Sequence, residues 1–63
     1  MNKKRRTELA QIHNRLDILI TEEQEAFDNM PESIQDSSRG EVSQDAIDHM
    51  DSAKAELDEV IFD

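Results

Sequence analysis

The chain has no cysteine, tryptophan or tyrosine, one glycine, one proline and only two phenylalanines. Without cysteine there are no disulfides, thiolate metal ligands or thiol nucleophiles, a usage that fits a reducing compartment and leads us to expect the cytoplasm. Long apolar runs are missing too. The longest, such as Ile18-Leu19-Ile20, span three residues, far short of a membrane crossing. Lys3-Lys4-Arg5-Arg6 is followed by polar residues and not by an apolar stretch, so neither a secretory signal nor a membrane partner is expected. Positive charge is scarce: seven Lys and Arg stand against sixteen Asp and Glu, for a net charge of −9.

What remains is 63 residues, enough for one small domain over 1–63. Hydrophobic residues make up 35% and charged residues 37%, with a mean hydropathy of −0.84. That balance lies between a charged helical protein and a disordered one, so the pattern has to decide. Leu9, Ile12, Leu16 and Leu19 follow the 3-4-3 spacing of a heptad seam, which continues through Glu23, Ala26 and Met30. Ile20 and Phe27 lie alongside and widen the stripe to that of a bundle helix. A helix over about 4–29 is expected. Glu23 interrupts the seam, either as a carboxylate reaching out to solvent at a bundle end or as a buried charge that sets register.

A second helical stripe, Val42, Ala46, Met50, Ala53, Leu57 and Val60 with Ile47 and Ile61 alongside, predicts a helix over about 39–61. Lys54, Asp48, Asp51 and Glu59 are expected to project elsewhere. Between the helices, Pro31 disfavours α geometry at Met30, so a turn is expected over about 30–38. Pro31 can open a short helical turn to Gln35 with Ile34 tucked back. Ser38 and Glu41 have capping-box spacing for the second helix, weakened by the intervening Gly40.

Charge decides the arrangement. Residues 1–20 carry five bases and two acids, whereas residues 21–63 carry two bases and fourteen acids. Bases at a helix start and acids at a helix end both oppose the macrodipole. An antiparallel hairpin would bring Lys3 to Arg6 against Asp58, Glu59 and Asp63 and turn both faults into cross-helix pairs. The expected fold is therefore all-α, an antiparallel two-helix hairpin. A lone hairpin leaves one side of each stripe wet, so a homodimer forming a four-helix bundle is expected. The core and dimer seam would be Leu9, Ile12, Leu16, Leu19, Ile20 and Phe27 from the first helix. The second would supply Ala46, Met50, Ala53, Leu57, Val60 and Ile61.

One resemblance adds to this reading. Glu23-Gln24-Glu25-Ala26-Phe27-Asp28-Asn29-Met30-Pro31-Glu32-Ser33-Ile34-Gln35, with Ser38-Arg39-Gly40-Glu41 and Ala46-Ile47-Asp48, resembles a group of small helical proteins encoded by phages, prophages and plasmids. Their members open with a basic segment, share a central motif of this kind and close with an acidic helix. This chain departs in its short second helix and in Asp36-Ser37. The resemblance implies a mobile-element origin and a helical hairpin; it transfers no activity.

Catalytic patterns are absent. His13 and His49 fall on different helices, and His13 is expected opposite about residue 57. His49 with Asp45 and Asp48 lacks a ligand from a second element, so no metal site is expected. No phosphate loop, nucleophile elbow or HExxH occurs, and the many carboxylates have no concave apolar scaffold to shift their protonation. We expect no enzyme and no cofactor. The single basic cluster, with no stacking aromatics beside it on so acidic a chain, makes direct nucleic-acid binding unexpected. Glu41, Asp45, Asp48, Asp51 or Ser52, Glu56, Glu59 and Asp63 recur at threes and fours, and Glu22, Glu25, Asp28, Glu32 and Asp36 carry the charge across the turn. This stripe is either a solvated face or a mimic of the phosphate backbone aimed at a basic groove. Phe27, Met30 and Ile34 either cap the hairpin or help to contact a partner. The expected function is a small acidic phage-type regulator in the host bacterial cytoplasm. It would bind a host protein through Asp28, Glu32, Glu41, Asp45, Asp48 and Glu59. The alternative is a structural module whose only partner is itself.

Overall fold

The computed structural model describes residues 1–62 and is all-α. Three helices follow one another: α1 (Lys3–Asp28), α2 (Glu32–Gln35) and α3 (Ser38–Ile61). α1 and α3 pack antiparallel along a rod of 48 × 15 × 12 Å, and the single turn of α2 rests on α3. Both long helices begin and end within a residue or so of their expected limits. The simple two-helix hairpin is corrected in one respect: the segment between them holds a helix of its own.

Local chemistry explains the ends. Asn2 caps α1, its Oδ1 accepting from the Arg5 backbone N–H at 2.9 Å. At the other end, Met30-Pro31 stops the helix and leaves terminal carbonyls without intrahelical donors. The Gln35 amide supplies donors, with Nε2 2.9 Å from the Phe27 carbonyl oxygen and 3.3 Å from that of Met30. α2 starts at Pro31, whose carbonyl accepts from the Ile34 and Gln35 backbone N–H groups at 2.8 and 3.0 Å. The expected short turn is therefore present, with Ile34 half-buried.

The cap of α3 is Ser37 and not Ser38. Its hydroxyl donates to the Ile34 carbonyl and does not accept from the new helix. The Ser38–Glu41 capping box is thus not the device used. Gly40 replaces it as the decisive residue of the junction. It is buried, and a Cβ built on it would lie 1.9 Å from the Gln35 carbonyl oxygen. Only a glycine allows α3 to leave α2 along this path.

The seam differs from the expected one by a rotation. Along α1 and just past its end, Arg6, Leu9, His13, Leu16, Ile20, Glu23, Phe27 and Met30 are sheltered in unbroken 3-4 alternation, with Ala10 and Gln24 beside the row. On α3, Gly40, Ser43, Ile47, Met50, Lys54, Leu57 and Ile61 are sheltered, again in 3-4 alternation, with Gln44 and Asp58 beside the row. In heptad terms the two rows are the a and d positions. The expected core and dimer seam was centred on the d and g positions, roughly 60° around each helix at 100° per residue, with the a-position residues Ile20, Phe27 and Ile61 alongside, and these three do lie in the observed seam. The g-position residues Ile12, Leu19, Ala26, Ala46, Ala53 and Val60 are accordingly exposed, and so is Val42 at a c position; of the larger side chains, Leu19 and Val60 are 38% exposed, Ile12 55% and Val42 68%. Lys54, expected to project away, lies in the seam. Only Ile47 at 3% and Ile61 at 8% are fully buried apolar side chains among the described residues. Glu23 is half-buried.

The expected meeting of basic start and acidic end occurs through the backbone. Arg6 Nη1 donates to the Ile61 carbonyl at 2.9 Å, satisfying a terminal acceptor and placing positive charge at the negative pole of α3. Asp63 lies outside the described residues.

Replacing Gly40 by alanine should destabilise the fold despite alanine's better helix propensity, because the clash is with backbone that cannot rotate away. The expected loss is ~1–3 kcal/mol, as for other overpacked sites, visible as a lowered midpoint in a thermal melt followed by circular dichroism.

Candidate interaction surfaces

Outside the seam the two long helices present three surfaces. On the first, the e flank, two cross-helix pairs set the register. His13 Nε2 lies 2.6 Å from Asp58 Oδ1, and Lys54 Nζ lies 2.8 Å from Asp17 Oδ1. Four residues forward on α1 correspond to four back on α3, as an antiparallel register requires. His13 was expected opposite about residue 57, and Asp58 is its partner. The His13 contact is an electrostatic approach and not an aligned hydrogen bond. Its Nε2 is hidden from solvent and has no hydrogen-bond partner among the described residues.

Lys54 donates to Asp17, and that hydrogen bond, reinforced by the ammonium charge, holds the Asp17 carboxyl below its ordinary range; His13 adds to the effect. The same bond and the Asp17 charge raise Lys54, with smaller help from Asp58 and Asp51. The heptad spacing of His13 between Leu9 and Leu16, and of Lys54 between Met50 and Leu57, was the signal that would have placed both residues in the seam. Their polarity argued the other way.

The second surface is acidic. Glu41, Asp45, Asp48 and Glu59 are exposed on the side of α3 turned away from the seam, and Asp28 and Glu32 are exposed at the turn end. Two of these carboxylates are oriented from within their own helix: Gln24 Nε2 donates to Asp28 at 3.0 Å, and Gln44 Nε2 donates to Asp48 at 3.2 Å. Of the central motif residues, Phe27, Met30 and Ile34 are half-buried at the hairpin end, where they cap the seam. His49 is exposed. Among the described residues no group of three or more His, Cys, Asp or Glu side chains gathers as a metal site would require.

The third surface is apolar. It consists of the g positions Ile12 (55% exposed), Leu19 and Ala26 of α1 and Ala46, Ala53 and Val60 of α3, where polar residues would be expected on an isolated rod, with the g positions Arg5 and Arg39 beyond them at the two helix starts. No helix among the described residues is long and apolar enough to cross a membrane. No family model, curated protein or solved structure matches the chain.

Two outcomes follow from the e flank. The Asp17–Lys54 coupling should be present between about pH 4 and pH 10. It should vanish as acid protonates Asp17 through its depressed value, because a lowered acid stabilises only above that range. It should vanish again as base neutralises Lys54 through its raised value, because a raised amine stabilises only below that range. A double-mutant cycle with Asp17→Asn and Lys54→Met, melted at pH 2, 7 and 12, reads this directly. His13→Leu should stabilise the chain by ~1 kcal/mol, because it replaces a hidden nitrogen that pairs with Asp58 without an aligned hydrogen bond by an apolar side chain near Leu57. A raised melting midpoint checks it.

Proposed function

We propose that the chain is a small acidic regulatory protein of the phage type, without catalysis of its own, that acts in a bacterial cytoplasm. It engages a basic groove on a host protein by imitating the charge of a nucleic-acid backbone. The observation that carries this reading is the separation of surfaces. Glu41, Asp45, Asp48 and Glu59, all exposed, keep to the side of α3 away from both the seam and the apolar flank, so they can meet a partner without disturbing either, whereas Glu56 borders that flank. Carboxylates three or four residues apart on a helix stand ~6 Å from one another, comparable to successive phosphates on a strand. A basic groove that binds nucleic acid gains most of its affinity from such charge and would accept this stripe on the same terms. The likeness of the central motif to phage and plasmid proteins supplies the host context.

Self-association is the second reading, and the exposed apolar flank favours it. The two are compatible, because they use different sides of the rod. The purely structural alternative keeps self-association and drops the host target.

Affinity capture from bacterial lysate at low and high salt tests the main reading. A specific host protein should be retained at low salt and released as ionic strength rises. Asp45→Lys combined with Asp48→Lys should abolish capture, while Asp45→Glu with Asp48→Glu should preserve it. Retention that ignores salt would rule out backbone mimicry.

A further inference from the structure

The register that seats the seam also aligns what lies outside it. Ile12, Leu19 and Ala26 recur every seven residues on α1, and Ala46, Ala53 and Val60 do the same on α3. All six are exposed. In an antiparallel pair the g positions of both helices emerge on one flank. The opposite flank is the one occupied by the His13–Asp58 and Asp17–Lys54 pairs. Extending that register sets Ile12 within one residue of the level of Val60, Leu19 of Ala53, and Ala26 of Ala46. The six side chains form one apolar face, two helices wide and ~21 Å long at ~1.5 Å per residue. Its bulk falls steadily, from isoleucine and valine near the chain ends to two alanines near the turn.

We infer that this face receives a second copy of the chain, hairpin on hairpin and end for end, with a two-fold axis crossing at Leu19 and Ala53. The inference deepens the self-association reading of the proposed function and rests on it. Size supports the occupant and its orientation. An axis at that level lays the wide Ile12 and Val60 layer of one copy over the narrow Ala26 and Ala46 layer of the other, so the two tapers fill each other. Stacking the hairpins the same way round would set bulk on bulk and leave a gap between facing alanines, which close-packed interiors do not tolerate.

Charge agrees. Arg15 and Glu22 border the face on α1, both exposed and neither in an ion pair among the described residues. The same axis brings Arg15 level with Glu22 of the second copy, and the reverse. It also turns the basic start of α1 toward the acidic turn residues Glu32 and Asp36 of the second copy. Area agrees as well. The chain exposes 4805 Å², about 600 Å² above the ~4200 Å² of a compact monomer of 7.3 kDa. One partner covers ~800 Å² in a standard interface.

Sedimentation equilibrium of the full chain, with helicity followed in parallel, tests the inference. The wild type should sediment at twice 7.3 kDa. Ala53→Glu, a good helix former at an exposed position, should weaken the dimer at least about tenfold while keeping the chain helical. If Ala53→Glu loses helicity, Ala46→Glu gives the same readout one heptad away. Ile18→Glu adds the same charge at an exposed position outside the face and should leave the dimer within about twofold of the wild type. Because the chain has no cysteine, Leu19→Cys reports the axis: mild oxidation should link two copies through this residue, whereas Ala26→Cys should not link. A wild type that stays monomeric at high micromolar concentration overturns self-association itself. A dimer indifferent to the glutamate at 53 or 46, or one lost in Ile18→Glu, overturns this face while leaving self-association standing. A dimer in which Leu19→Cys does not cross-link overturns the end-for-end arrangement. None of these readouts depends on the acidic surface or on a host protein.

Discussion

At Gly40 the backbone of α3 runs so close to α2 that a single added methyl group would lie 1.9 Å from the Gln35 carbonyl oxygen. The side chain of the same glutamine donates to the last carbonyls of α1. One residue therefore joins all three helices, through its amide on one side and its backbone on the other. This clamp sets where α3 starts relative to the end of α1. Along rigid helices that offset carries to the far end of the rod, where Arg6 meets the Ile61 carbonyl. The choice of which residues face inward is thus tied to a contact near the turn.

The seam so selected is thin and half polar. Carrying the register along, His13 lies within one residue of the level of Leu57, Lys54 of Leu16, Glu23 of Ile47 and Ser43 of Phe27. Such layers bury little apolar area, and among the described residues Ile47 and Ile61 are the only buried hydrophobic side chains. The long side chains of Lys54 and Glu23 can cover apolar neighbours with their methylene stems while their charges reach water. A helix that is apolar at a, d and g together is the kind that packs against more than one neighbour. α1 and α3 each carry an exposed apolar g row beside a seam that is only partly apolar, and the hairpin leaves that row uncovered.

Charge is sorted around the rod as well as along it. Pairs that set register occupy the e flank, carboxylates without cross-helix partners cover the back of α3, and apolar side chains hold the g flank. A uniformly solvated rod has no need for such sorting. The separation lets one small chain present two chemically different surfaces, one salt-sensitive and one governed by shape.

Composition and periodicity were enough to specify two long helices, their limits to within about a residue, the break at Pro31, the short turn after it and the antiparallel sense. Each follows from local rules: a 3.6-residue repeat, proline's lost N–H, and charges that oppose the dipole unless the ends meet. The exposure of Asp28, Glu32, Glu41, Asp45, Asp48 and Glu59 was legible for the same reason. The facing of the helices was not. The d and g stripe is apolar at nearly every position, whereas the true seam contains an arginine, a histidine and a lysine that hydropathy assigns to the surface. Choosing between stripes set roughly 60° apart takes the Gly40–Gln35 approach and the pairs His13–Asp58 and Asp17–Lys54. These contacts join residues distant in the chain, so no local pattern encodes them and only the tertiary structure could decide.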